Sequence, residues 1–165
     1  MMTVDEFWDW SLARYSDEAT RDHLLALQAN VDLVVLEALF AAWLGSRYFA
    51  WEASAVQRLG EASQDWLEGV VMPLRAIRIR WRSEPALQTA RQHLLSLEVQ
   101  AERHLAELIW QGVMVPQGHA NDVLSQPEVA ADELMNANLG LLTVFQDGKY
   151  VSERTQVVAL LGQAT

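Results

Sequence analysis

Four arginines fall between positions 75 and 82: Arg75, Arg78, Arg80 and Arg82. Planar guanidinium forks match the oxygens of carboxylates and phosphates, so such a run marks an anion or an acidic partner. At helical spacing Arg75, Arg78 and Arg82 share one face, and Leu74, Ile77 and Trp81 take the other. Arg75, Arg78, Arg82 and Trp81 are therefore the candidate partner- or anion-binding set. Two ordinary roles compete with recognition. Cations complement the C-terminus of a helix, and a following helix offers Glu98, Glu102 and Glu107 for ion pairs.

Carboxylates supply the second candidate chemistry. Glu98 and Glu102 are one helical turn apart and face the same way, with His104 nearby. Paired carboxylates perform acid–base work when one is held protonated, although pairing with Arg91, Arg103 or the arginine run needs no such arrangement. Glu37 sits within Val-Val-Leu-Glu-Ala-Leu-Phe. A buried glutamate is costly unless paired, so it reaches solvent or meets an arginine, and a shifted acid in a pocket is a functional-site candidate. Glu37, Glu98 and Glu102 are the candidate pocket carboxylates.

Other chemistry is missing from the sequence. With no cysteine there is no thiolate ligand, disulfide or cysteine nucleophile. The histidines, His23, His93, His104 and His119, form no His-x-x-x-His pair. The Glu-x-x-His spacing of di-iron bundles is also absent: Glu102 and His104 are two apart, Glu18 and His23 five. No glycine-rich phosphate loop and no Gly-x-Ser-x-Gly elbow occurs. No catalytic residue, metal or cofactor is therefore expected.

A formal charge of −10 opposes general affinity for nucleic acid or anionic membranes. The greasiest stretch, Val31 to Leu44, contains Asp32 and Glu37 and is too short to span a bilayer. The acidic N-terminus lacks the features of a signal peptide. A cytoplasmic protein is expected, with neither nucleic acid nor membrane as partner. Eleven of the twelve basic residues are arginine, which reflects genome composition before phosphate recognition.

The elements that would position these residues are helical. Thr3 and Glu6 form a capping box, followed by Val4, Trp8, Leu12 and Tyr15 at helical spacing. Asp17 caps a second helix, with Leu24, Leu25 and Leu27 inward, ending near Asn30. A third, apolar nearly all round, carries Leu33, Leu36, Leu39, Phe40, Trp43 and Leu44 and stops at Gly45 as a C′ residue. A short helix is expected from Ala50 to Leu59 before Gly60. Another runs from Glu61 to Arg82, kinked by Pro73, with Trp66, Val70, Leu74, Ile77 and Trp81 inward.

Ser83 and Pro85 open the longest helix, running to Gln111 before Gly112. Its stripe is Leu87, Ala90, Leu94, Leu97, Ala101, Leu105 and Leu108. Val113 to Pro127 reads as a loop. Glu128–Phe145 and Ser152–Gly162 read as two closing helices, with a β-hairpin at Asp147-Gly148 as the alternative. Trp8, Trp43, Trp66 and Trp81 belong to the core, and Trp10 or Trp51 is the candidate exposed interface anchor. The expected architecture is an all-α bundle of about six to eight helices in a single domain, 1–165. Its body is 3–111, its loop 113–127 and its closing helical hairpin 128–165.

The opening Phe7-Trp8-x-Trp10-Ser11-Leu12-x-x-Tyr15 resembles that of a proteobacterial family of small proteins with no assigned function. Leu27-Gln28, Leu39-Phe40-Ala41-Ala42-Trp43-Leu44-Gly45 and Pro73-Leu74-Arg75-Ala76-Ile77-Arg78 are similar to the same family. So is Leu97-Glu98-x-x-x-Ala101-Glu102, and together these segments cover residues 5 to 111. Val34-Val35-Leu36 stands where the family pattern has Asp-Val-Asn, and Asp32 where it has a turn glycine. The resemblance implies a divergent member and carries over no catalytic residue.

The expected function is a non-enzymatic helical interaction protein that recognises a protein partner or acidic group through its basic helix face. The alternative is a small-molecule-binding protein or enzyme with a pocket between bundle helices. Homodimerisation through a spare apolar helix face competes with both.

Overall fold

A computed structural model describes residues 1–115 and 123–163. Among them are eight α-helices: α1 (Val4–Tyr15), α2 (Glu18–Val31), α3 (Val35–Ser46), α4 (Ala53–Trp66), α5 (Met72–Arg80), α6 (Gln88–Met114), α7 (Ala131–Gly140) and α8 (Val151–Gly162). The only strands among these residues are β1 (Phe49–Trp51) and β2 (Val123–Ser125), which pair antiparallel with Ala50 opposite Leu124. The architecture is all-α, with the expected long helix and a closing pair, α7 and α8, packed on each other. Contacts group into two compact units, 1–56 with 116–165 and 57–115.

In the first unit the N-terminal signals act as read. Thr3 accepts the Glu6 N–H while the Glu6 carboxylate accepts that of Thr3, and Asp17 accepts from Thr20. In α1 the inward residues are Phe7 and Ser11, whereas Leu12 and, in α2, Leu25 are exposed. Phe7 meets Phe40 edge-on at 4.9 Å, and Phe40 in turn lies 6.0 Å from Trp43 and from Trp51. This aromatic cluster is the centre of the unit's core. Trp51, a candidate exposed anchor, is buried, and Trp10 is half-buried beneath the Arg14 guanidinium at 4.9 Å.

Gly45 does not cap α3. It lies inside the helix, where an added Cβ would come within 2.6 Å of Met135 Cα and 2.8 Å of the Leu134 carbonyl carbon. The residue is small because α7 crosses α3 there. The C-terminus of α2 is instead closed by Asp32, at φ 59.

Asn138 on α7 knits this crossing together. Its Oδ1 accepts the Trp51 N–H at 3.1 Å, and its Nδ2 donates to the carbonyls of Ala41 at 3.1 Å and Phe49 at 2.9 Å. The Trp51 indole N–H donates to the Asn138 carbonyl at 2.9 Å. Thus the segment expected to begin a helix at Ala50 is a strand, because its backbone is engaged by Asn138 and β2.

Within the expected loop 113–127, residues 113–114 complete α6 and 123–125 form β2; the rest of its centre, 116–122 with His119, lies outside the described residues. No hairpin forms around Asp147-Gly148. A 3₁₀ segment, 143–148, ends there with Asp147 and Gly148 at φ 60 and 70, and α8 follows.

In the second unit, α4 runs through Gly60 without a break and joins α5 through a π-helical segment, Leu67–Val71. Its signature is the Met72 N–H donated to the Leu67 carbonyl, five residues back. Pro73 has no N–H to give and would crowd the carbonyl of Gly69, so the wider turn before it relieves the conflict that a regular helix would suffer. Two 3₁₀ turns, Trp81–Ser83 and Pro85–Leu87, then reverse the chain into α6. Gly112 does not end α6. An added Cβ would lie 2.8 Å from Ala62 Cβ and 2.9 Å from the Arg58 carbonyl oxygen, so this glycine lets α4 and α6 approach.

Candidate functional site

The inner stripe of α6 contains Leu94, Glu98, Ala101, Leu105 and Ile109, all buried. A carboxylate in that row, 4% exposed, requires cations from the facing helix. Arg75 and Arg78 of α5 provide them. Arg75 Nε donates to Glu98 Oε1 at 3.1 Å and its Nη2 to Glu102 Oε1 at 2.9 Å. Arg78 bridges both oxygens of Glu98, Nε to Oε2 and Nη2 to Oε1, the latter at 3.2 Å. Arg91 Nε donates to the Arg78 carbonyl at 3.2 Å, tying the start of α6 to the end of α5.

The four side chains form one network. Burial pushes the Glu102 carboxyl above its ordinary range; Arg75 opposes that shift, the Glu98 charge adds to it and Arg78 also opposes it. Lower on α6, the Trp66 indole donates to the Ala101 carbonyl at 2.8 Å and meets the His104 ring edge-on at 4.6 Å. His104 Nδ1 lies 3.3 Å from a Glu107 oxygen.

The structure thus brings Arg75, Arg78, Glu98 and Glu102 together and separates Arg82 and Trp81 from them. Arg75 and Arg78 do not share an outward face: they turn toward α6, while Ile77, read as inward, is 40% exposed. Arg80 and Arg82 are exposed and have no carboxylate partner among the described residues; Trp81 between them is half-buried. Arg80 stood in the arginine run but outside the candidate set. It stands out from the run only once Glu98 has paired with its neighbours.

Glu37 lies apart, on α3 in the first unit, half-buried and without an ion-pair partner among the described residues. Burial alone pushes its carboxyl up to about 7. No group of three or more histidine, aspartate or glutamate residues among those described is placed to hold a metal ion, and no described helix is long and apolar enough to cross a membrane.

An all-α fold with a charge network inside one helical pair defines a class without naming a chemistry. The chain belongs to the family described as protein of unknown function DUF2390, whose model matches residues 6–109. Neither the curated proteins nor the solved structures contain a match to it.

Proposed function

We propose that the chain is a non-enzymatic helical interaction protein that recognises an acidic group of a protein partner through the C-terminal end of α5. The observation that carries this reading is the division of the arginine run. Arg75 and Arg78 are neutralised by Glu98 and Glu102, whereas Arg80 and Arg82 stand exposed beside Trp81 without a carboxylate partner among the described residues. Within this reading Arg82 and Trp81 contact the partner, Arg80 joins them, and Arg75 and Arg78 hold the helix that presents them. A net charge of −10 supports a protein rather than a nucleic-acid partner.

Charge reversal separates the two groups. Arg80→Glu with Arg82→Glu should abolish recovery of specific partners in an affinity capture while leaving the circular-dichroism melt in place. Arg75→Glu with Arg78→Glu should lower the melting temperature. Unchanged capture by the first variant would refute the assignment.

A second reading, a small-molecule-binding protein or enzyme, rests on Glu37, a half-buried acid with no ion-pair partner among the described residues. Its test is a ligand-induced change in the titration of Glu37 in a carboxyl-resolved NMR spectrum. A titration indifferent to a metabolite panel would end it.

A further inference from the structure

Around the charge network, α5 and α6 turn apolar residues outward. Met72, Ala76 and Ile79 are exposed, at positions i−3, i+1 and i+4 from Arg75; Leu95 and Val99 are exposed, at i−3 and i+1 from Glu98. The two helices run antiparallel, since Arg75 reaches Glu102 and Glu98, Arg78 reaches Glu98, and Arg91 reaches the Arg78 carbonyl. In an antiparallel pair the same rotational side of each helix is the same side of the pair, so these residues form one apolar face. The ion pairs also fix the heights: Ile79 stands level with Leu95, and Ala76 with Val99. Ile77, Trp81 and Leu97 lie toward the opposite side.

The rim of this face carries both signs. Arg80 is exposed at the end of α5, and Glu84 is exposed in the turn into α6, four residues before Gln88. At the far end Glu68 is exposed four residues before Met72 and accepts from Gln64. None of these three charges has an ion-pair partner among the described residues, whereas Glu102, on the same side, is tied to Arg75.

We infer that this face binds a second copy of itself, about a twofold axis parallel to the helices that sets α5 of each copy against α6 of the other. Such an axis keeps every height, so Ile79 meets Leu95 of the second copy and Ala76 meets its Val99. Arg80 then faces Glu84 of the second copy, and Glu68 comes level with its Arg103. Every neighbouring pair of helices is antiparallel, as in an up-and-down four-helix bundle. The charges select this occupant. A partner flanked only by carboxylates sets them against Glu68 and Glu84, and one flanked only by cations sets them against Arg80. The occupant must carry both signs, in order along the helices, around an apolar centre at matching height. The twofold axis supplies that arrangement from this sequence alone. Residues 57–115 hold seven arginines and seven carboxylates, so this unit meets its own copy without net repulsion. The first unit also exposes Leu12, Leu25, Tyr48, Leu124, Tyr150 and Val151, but it carries the whole −10, and pairing two copies through it opposes like charges. The inference goes beyond the proposed function and leaves Trp81, on the opposite side, open to a partner.

The test measures dimerisation of the full chain by light scattering and sedimentation equilibrium. The parent should be a dimer, and Ile79→Glu, at an exposed position, should be a monomer with an unchanged circular-dichroism melt. Arg80→Glu sets two carboxylates against each other across the interface, and Glu84→Arg sets two guanidinium groups. Each variant should therefore dissociate about tenfold more readily than the parent. Mixed in equal amounts, the two should recover a heterodimer of parental affinity, because each carboxylate again meets a guanidinium of the other chain. A pair formed within one chain gives no such recovery. A parent that stays monomeric at millimolar concentration, a dimer indifferent to Ile79→Glu, or a mixture no tighter than its components would each overturn the inference. Each of these results leaves the proposed function standing, since capture through Trp81 and Arg82 is read separately.

Discussion

Glu37 is the residue whose surroundings yield the sharpest pH prediction. Its folded-state carboxyl is raised to about 7 from an ordinary 4.5 by burial, so the native state binds that proton more tightly than the unfolded chain. Its contribution is most favourable below about 4.5, is lost as pH rises toward about 7, and is flat beyond. The full loss is about 3 kcal/mol. Glu37→Gln should remove that slope, so urea midpoints at pH 5 and pH 8 should converge in the variant relative to the parent. Equal slopes would show that the carboxyl is solvated. Asn138 gives the second residue-scale prediction. Its side chain satisfies one buried N–H and two carbonyls, so Asn138→Ala should destabilise by about 3 kcal/mol or more in chemical denaturation. Neither environment was legible in sequence. Sequence marks Glu37 as a costly acid, but that no ion-pair partner meets it among the described residues is a property of the packed helices. Asn138 sits in a helical stretch with nothing local to mark it as a hub.

At the scale of elements, three glycines that look alike in sequence separate by what surrounds them. Gly60 lies mid-helix in α4 with nothing within 4 Å of an added Cβ, whereas Gly45 and Gly112 lie where another helix backbone would be struck. Gly60→Ala should stabilise by about 0.5–1 kcal/mol through helix propensity. Gly45→Ala should be destabilising enough to shift the thermal midpoint downward, and the two measured together test the crossing. Asp32→Gly should also stabilise, because the left-handed turn that closes α2 strains a residue with a Cβ. The helices themselves were largely legible, since capping residues and 3.6-residue periodicity are local. Rotation about the axis was not. In α6 the row Leu94, Leu97, Ala101, Leu105 and the row Leu94, Glu98, Ala101, Leu105 differ by one position, and hydrophobicity favours the first. The structure adopts the second because Arg75 and Arg78 compensate Glu98 from the facing helix. Choosing it reverses α5, turning arginines inward and Ile77 outward.

For the whole molecule, the net charge proves to be confined. Residues 57–115 hold seven arginines and seven carboxylates, while the remainder holds five cations and fifteen carboxylates, so the entire −10 falls in the first unit. Excess like charge destabilises a compact state by self-repulsion, and salt screens exposed charges over a Debye length of about 10 Å at 0.1 M. The second unit responds differently, because its principal ion pairs surround a glutamate that is 4% exposed and are shielded from added salt. Raising sodium chloride should therefore increase amide-exchange protection in α1, α2, α3, α7 and α8 and leave α6 nearly unchanged. Peptide-resolved hydrogen exchange at two salt concentrations measures this directly. A uniform gain along the chain would mean that opening is global rather than governed by local charge. A loss of protection confined to α5 and α6 would mean that the Arg75, Arg78, Glu98 and Glu102 network is solvated and screened. The same charge division bears on recognition, since it leaves Arg80 and Arg82 in a unit whose own charges balance. Under the proposed function, the attraction they exert on an acidic group is short-ranged, which favours a small, well-placed contact over diffuse binding.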